Sequence, residues 1–199
     1  MHFMYSQANR VEDNRLQQNS VGIFLMYSDD VEIRGNHISQ AVGATSMGIG
    51  FKETSNVTIE HNQIIYCANG IYLDVSPYQP ETTNRIIANE IAYNGVGVLF
   101  HNDWQGNIFK QNQFTGNYVQ VAVQGANTAR RNVWEGNYWD DYLGFDRNGD
   151  GKGDTPYESY AYADQIWMDV PATQFFRGSP VLELLNFLKR LAPFSEPMM

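Results

Sequence analysis

The sequence predicts an all-β fold: a right-handed single-stranded parallel β-helix with a C-terminal helical segment. Three observations predict it. An asparagine-centred motif recurs at near-constant spacing. Between its recurrences lie short stretches of alternating apolar and polar residues, the period of a strand with one buried face. Polar turns rich in Asn and Gly separate those stretches, and no helical period is evident before residue 140.

The repeat is visible in Asp13-Asn14-Arg15-Leu16, Gly35-Asn36-His37-Ile38, His61-Asn62-Gln63-Ile64, Ala88-Asn89-Glu90-Ile91, Gln111-Asn112-Gln113-Phe114 and Gly136-Asn137-Tyr138-Trp139. Subtracting successive asparagine numbers gives 22, 26, 27, 23 and 25. Eight residues after Asn14, Asn62 and Asn89 a glycine opens an alternating strand: Gly22-Ile23-Phe24-Leu25, Gly70-Ile71-Tyr72-Leu73 and Gly97-Val98-Leu99-Phe100. Gly48-Ile49-Gly50-Phe51 follows Asn36 after a longer gap, and Gln120 takes the glycine's place in the last coil.

Stacking such units about 4.8 Å apart puts like residues in columns. Four apolar columns are expected to point inward. They are Val11, Ile33, Ile59, Ile86, Phe109, Trp134; then Leu16, Ile38, Ile64, Ile91, Phe114, Trp139; then Ile23, Ile49, Ile71, Val98, Val121; and Leu25, Phe51, Leu73, Phe100, Val123. One coil cannot hide its apolar side alone, but a stack can. The asparagines are expected to occupy a left-handed turn position and to pair their amides along the stack.

Residue 1 falls inside a coil, because Phe3-Met4-Tyr5-Ser6 matches Leu25-Met26-Tyr27-Ser28. The expectation is an N-terminally truncated β-helix over 1–139, followed by an acidic Gly/Asp loop and a cap or docking tail over 140–199. Extra residues fall near Val42–Ser46 and over Val75–Thr83, where two prolines mark a loop. Ser179 suits a helix N-cap, Pro180 the first turn, and Val181, Leu184, Leu185, Leu188 and Leu191 an apolar stripe. That helix is read as a cap on the stack or as a docking element for a partner.

The bulk chemistry narrows the function. A net charge of −9 argues against a nucleic-acid partner, which calls for a basic face. One cysteine rules out an internal disulfide and zinc sites built from several thiolates. Asp146-Arg147-Asn148-Gly149-Asp150-Gly151-Lys152-Gly153-Asp154 places oxygen donors and a glycine as in the first part of an EF-hand calcium loop. Asp146, Asn148, Asp150 and Asp154, with the Lys152 carbonyl, are the calcium candidates; the twelfth position is Tyr157, not the usual glutamate. Thioethers and imidazoles suit Cu(I). An outward column Met4, Met26, Lys52, Asp74, His101, Gln124 supplies the copper candidates Met4, Met26, Asp74 and His101, with Asp74 expected to orient the His101 ring. The same column offers one carboxylate for glycan chemistry, which keeps a carbohydrate-binding or polysaccharide-cleaving β-helix as the alternative.

The segment from Asn137-Tyr138-Trp139-Asp140-Asp141-Tyr142 through Gly144 to Tyr157, with Ser179–Leu185 and Leu191-Ala192-Pro193-Phe194, resembles NosD-type proteins. That resemblance implies a periplasmic, non-enzymatic accessory protein for maturation of the copper–sulfur centre of nitrous oxide reductase. It implies nitrous oxide reductase and ABC transporter components as partners, with the membrane reached only through a partner. It implies copper as a ligand without naming its donors.

Overall fold

The computed structural model describes residues 1–124, 128–159, 179–181, 184 and 188. Leu185 and Leu191 of the expected apolar stripe lie outside the described residues, as does most of the tail.

The strands form three parallel sheets of six, each winding visiting all three sheets in turn. The first sheet holds His2–Met4, Val21–Met26, Met47–Lys52, Asn69–Asp74, Val96–Phe100 and Val119–Val123. The second holds Arg10–Glu12, Glu32–Arg34, Thr58–Glu60, Asn84–Ile87, Asn107–Lys110 and Val133–Glu135. The third holds Arg15–Gln17, His37–Ser39, Gln63–Ile65, Glu90–Ala92, Gln113–Thr115 and Tyr138–Trp139. This is a parallel β-helix.

The register reproduces all four expected columns. Val11 pairs with Ile33, Ile33 with Ile59, Ile59 with Ile86, Ile86 with Phe109 and Phe109 with Trp134. The third sheet likewise aligns Leu16, Ile38, Ile64, Ile91, Phe114 and Trp139. In the first sheet Ile23, Ile49, Ile71, Val98 and Val121 line up beside Leu25, Phe51, Leu73, Phe100 and Val123. These side chains form one buried core, almost all of it closed to solvent. Full burial of one such aliphatic side chain contributes about 1.5–3 kcal/mol, so adding coils lengthens the core without changing its cross-section.

The turns depart from expectation in one respect. The asparagines themselves are not left-handed. The residue before each one is: Asp13, Gly35, His61, Ala88, Gln111 and Gly136 all have φ between 52° and 65°. The same arrangement holds at the other two corners, where left-handed Tyr5 and Tyr27 precede Ser6 and Ser28, and Tyr93 and Gly116 precede Asn94 and Asn117. The left-handed residue reverses the chain, and the small polar residue after it turns its side chain into the stack.

That side chain then closes the hydrogen bonding of the corner. Asn36 Nδ2 donates to Asn62 Oδ1 at 2.9 Å, Asn62 Nδ2 to Asn89 Oδ1 at 3.0 Å, and Asn89 Nδ2 to Asn112 Oδ1 at 3.0 Å. Each amide also binds carbonyls of its own turn and of the preceding coil, as Asn62 does with Glu60 and Ile33. Two further ladders, through Asn84, Asn107 and Asn132 and through Asn94 and Asn117, do the same elsewhere. Buried backbone groups call for such partners wherever the strand ladder stops.

Aromatic residues close the far end. Phe114 and Trp139 stack at 4.2 Å, and Tyr157 stacks on Trp139 at 4.2 Å with planes 6° apart. Tyr157 thus adds a further layer to the third-sheet column after the strands have ended. Pro180, Val181, Leu184 and Leu188 are helical, and the last three expose their apolar side chains.

Candidate functional site

The outer face of the first sheet carries the chemically distinctive side chains. Along its strands Phe3 and Leu25 point into the core while His2, Met4 and Met26 point out. His2 pairs in register with Phe24, and Met4 with Met26. Met26 is followed by Lys52 and Lys52 by Asp74. The expected outward column therefore exists, but Lys52 lies between the two thioethers and Asp74.

Asp74 does not orient His101. The His101 Nδ1 is 2.6 Å from Gln124 Oε1 in the following coil, and its ring lies 6.3 Å from the Tyr72 ring. The Nδ1 partner is a neutral amide one coil on, not the carboxylate one coil back. Burial, with a smaller contribution from the Asp74 carboxylate, pushes the Tyr72 hydroxyl above its usual value. The four copper candidates thus divide into Met4 with Met26, and Asp74 near His101.

The other soft donors stand apart. Cys67 is buried, and desolvation pushes its thiol up despite a backbone hydrogen bond from Ala41. A buried protonated thiol is a poor metal ligand. His37 Nδ1 meets Gln63 Oε1 on the third sheet, and His61 sits 3.7 Å from Glu60.

The acidic loop is exposed throughout and held by its own carboxylates. Asp146 accepts the backbone N–H of Gly149 at 2.7 Å and of Gly151 at 2.9 Å. Asp150 accepts from Lys152 N at 2.8 Å, Asn148 Oδ1 from Asp150 N at 2.9 Å, and Asp154 from Arg147 N at 2.6 Å. Gly149 and Gly151 are left-handed, at φ 73° and 80°, as tight carboxylate-centred turns require. Tyr157, in the twelfth position, turns away to stack on Trp139, and its hydroxyl donates to Asp141 Oδ2 at 3.1 Å. Tyr142 ties the loop's two arms through its hydroxyl to the Thr155 carbonyl at 2.7 Å. Among the described residues, no group of three or more His, Cys, Asp or Glu side chains converges closely enough to hold a metal.

The outward column read from the sequence begins at Met4; the strand His2–Met4 also puts His2 on that outer face, two residues before Met4.

The chain resembles known proteins over nearly its whole length. Residues 1–144 match the family model described as periplasmic copper-binding protein (NosD). The "Probable ABC transporter binding protein NosD" of Stutzerimonas stutzeri is 28% identical over 192 residues, covering 96% of this chain and 40% of that protein. The protein of the same name from Pseudomonas aeruginosa is 35% identical over 114 residues, covering 55% of this chain and 26% of its relative. The chain thus spans less than half the length of these relatives. With most of the chain, residues 1–144, matched by that model and folded as a stack of asparagine-cornered coils, the chain belongs to the family described as periplasmic copper-binding protein (NosD).

Proposed function

We propose that this chain belongs to a periplasmic, non-enzymatic scaffold that serves maturation of the copper–sulfur centre of nitrous oxide reductase. It docks the reductase and a component of an ABC transporter and handles copper between them. The observation that carries this reading is the match over 192 residues to a relative named "Probable ABC transporter binding protein NosD", within a family described as periplasmic copper-binding. A rigid stack suits such a role, because sites on fixed strands keep their spacing without rearrangement. The exposed apolar side chains of Val181, Leu184 and Leu188 supply contact area for a partner.

The chemistry of the donor set fits copper at one place. Met4 and Met26 present two thioethers on neighbouring strands, ligands that favour Cu(I) over harder cations. The Asp146–Asp154 loop is proposed as a structural calcium loop on the spacing of its oxygen donors, although its Asp146 carboxylate here accepts backbone N–H groups of its own turn.

The test is capture with the full-length protein. Immobilised protein should retain the transporter component and the apo-reductase from a denitrifying periplasm and membrane extract. A strain lacking the protein should make reductase without its copper–sulfur centre. Retention of neither partner, with normal reductase maturation in the deletion strain, overturns the reading.

A further inference from the structure

We propose that the outer face of the first sheet holds a Cu(I) site formed by the thioether sulfurs of Met4 and Met26 and the imidazole of His2. The metal rests on the reading above; the donors come from this chain.

The strands put the three side chains on one surface. Met4 and Met26 are register partners in a parallel pair, so their Cα atoms sit about 4.8 Å apart. His2 precedes Met4 by two residues on the same strand, hence on the same face, about 6.6–6.8 Å away along the chain. Two ligands of one ion at bond lengths of about 2.0–2.3 Å, the range for sulfur and nitrogen on zinc, lie within about 4.6 Å of each other. Two methionines with three rotatable bonds each reach that separation from neighbouring strands without moving the backbone.

The frame is rigid. Phe3 and Leu25, between the donors in sequence, are paired and packed on the core. Tyr5 and Tyr27, immediately after the two methionines, stack at 5.0 Å with planes 9° apart, and Tyr5 N donates to the Met26 carbonyl at 3.1 Å. Both thioether stems therefore leave from fixed points.

His2 is singled out among the histidines by its place on the Met4 strand. His37, His61 and His101 each have a polar neighbour, in Gln63, Glu60 and Gln124. His2 makes an edge contact with the Phe24 ring at 5.6 Å. Met47 is excluded from the set, because its sulfur lies against Phe24 over Gly50. Lys52 bounds the site on the far side of Met26. Two neutral sulfurs and one neutral nitrogen select a soft monovalent ion, and an acidic protein of net charge −9 favours any cation.

The experiment uses the full chain under anaerobic conditions, with Cu(I) titrated in competition with a chromophoric Cu(I) chelator. The expected result is one Cu(I) held per chain. Met4→Leu and Met26→Leu, which keep side-chain volume, should each weaken binding at least ten-fold. The double variant and His2→Phe should lose the site, while thermal melting stays as in the parent. With methyl-labelled methionine, Ag(I) as a redox-inert probe should shift the Met4 and Met26 methyl signals and leave Met47 in place. Failure to retain Cu(I), unchanged affinity in the double methionine variant, or an Ag(I) shift elsewhere overturns the site. The two proposals fail separately. Cu(I) binding here without partner capture leaves the site and removes the docking reading. Partner capture without Cu(I) binding does the reverse.

Discussion

Replacing Asn62 with alanine tests the hydrogen-bond logic of the corners most directly. Asn62 is buried in the middle of the longest ladder. Its Nδ2 donates to Ile33 O at 2.9 Å, Glu60 O at 3.0 Å and Asn89 Oδ1 at 3.0 Å. Its Oδ1 accepts the Asn36 backbone N–H at 2.8 Å and the Asn36 amide at 2.9 Å. Alanine removes all five contacts. The Asn36 amide keeps Val11 O and Arg34 O, but the buried Asn36 N–H loses its side-chain acceptor. At the low end, about 0.5 kcal/mol for each lost bond and about 1 kcal/mol for the orphaned donor, the loss is already about 3.5 kcal/mol. Asn14→Ala is the internal control. Asn14 heads the ladder, is half-buried, and its amide donates to Glu12 O and Asn36 Oδ1. Its loss should cost about 1 kcal/mol. Urea unfolding followed by far-UV circular dichroism measures both, with the denaturant slope checking that the cooperative unit is unchanged. Equal small losses at the two positions would refute the argument that the buried ladder, rather than the apolar columns alone, fixes the corners.

Four further outcomes are expected. Gly70→Ala places a Cβ 2.5 Å from the Gly97 carbonyl oxygen and 3.1 Å from Asn94 Nδ2, so the coils must part there; a loss of about 1–3 kcal/mol in urea unfolding is expected, and none would show that the first sheet yields freely. Tyr157→Ala strips the last stacked layer, worth about 0.5–1.5 kcal/mol beyond buried area, and should red-shift tryptophan emission as Trp139 meets water. Tyr157→Phe keeps the stack and loses the bond to Asp141, whose carboxyl desolvation already raises and the Tyr157 hydroxyl lowers, so its titration by NMR should move further up; a carboxyl raised in the folded state contributes stability below its unfolded value that is lost as pH rises through its folded one. Calcium should raise the melting temperature, a chelator should lower it, and Asp146→Ala with Asp150→Ala should erase the difference; identical melting with and without chelator rejects the loop as a metal site.

The repeat was legible because each apolar column is a direct projection of sequence spacing. Once Asn14, Asn36, Asn62 and Asn89 were aligned, the register of Val11 with Ile33 and of Leu16 with Ile38 followed with no further choice. The corners were less legible. Asparagine tolerates the left-handed region, and that property pointed to the wrong residue; the turn is made by the residue before it, which can be Asp13, His61, Ala88 or Gln111. No single residue type marks that position, so composition carried no signal. The shorter ladders through Asn84, Asn107 and Asn132 escaped notice for a related reason: they span only part of the stack. The Gly/Asp loop announced itself by pattern, but the use of Tyr157 as a capping ring depends on where the chain returns after the loop.

A β-helix changes what a binding motif looks like in sequence. In a helix or a hairpin, ligands for one ion fall a few residues apart, and short spacings are what the eye searches for. Here the neighbour of a side chain is one whole coil away. Met4 and Met26 are 22 residues apart in number and adjacent in register, while Asp29 and Asp30, adjacent in number, bind Ser55 N and Asn56 Nδ2 separately. The distance that matters is set by coil length, and coil length varies in this chain by the residues inserted before Met47 and at Val75–Thr83. Because insertions fall at the corners, the strands stay in register across them: Met26 still pairs with Lys52, and Leu73 with Phe100. A site written across neighbouring strands therefore survives growth of the corner loops. Donors on the outer face of one sheet are the place where a chain of this kind can hold a fixed set of ligands while its loops change around them.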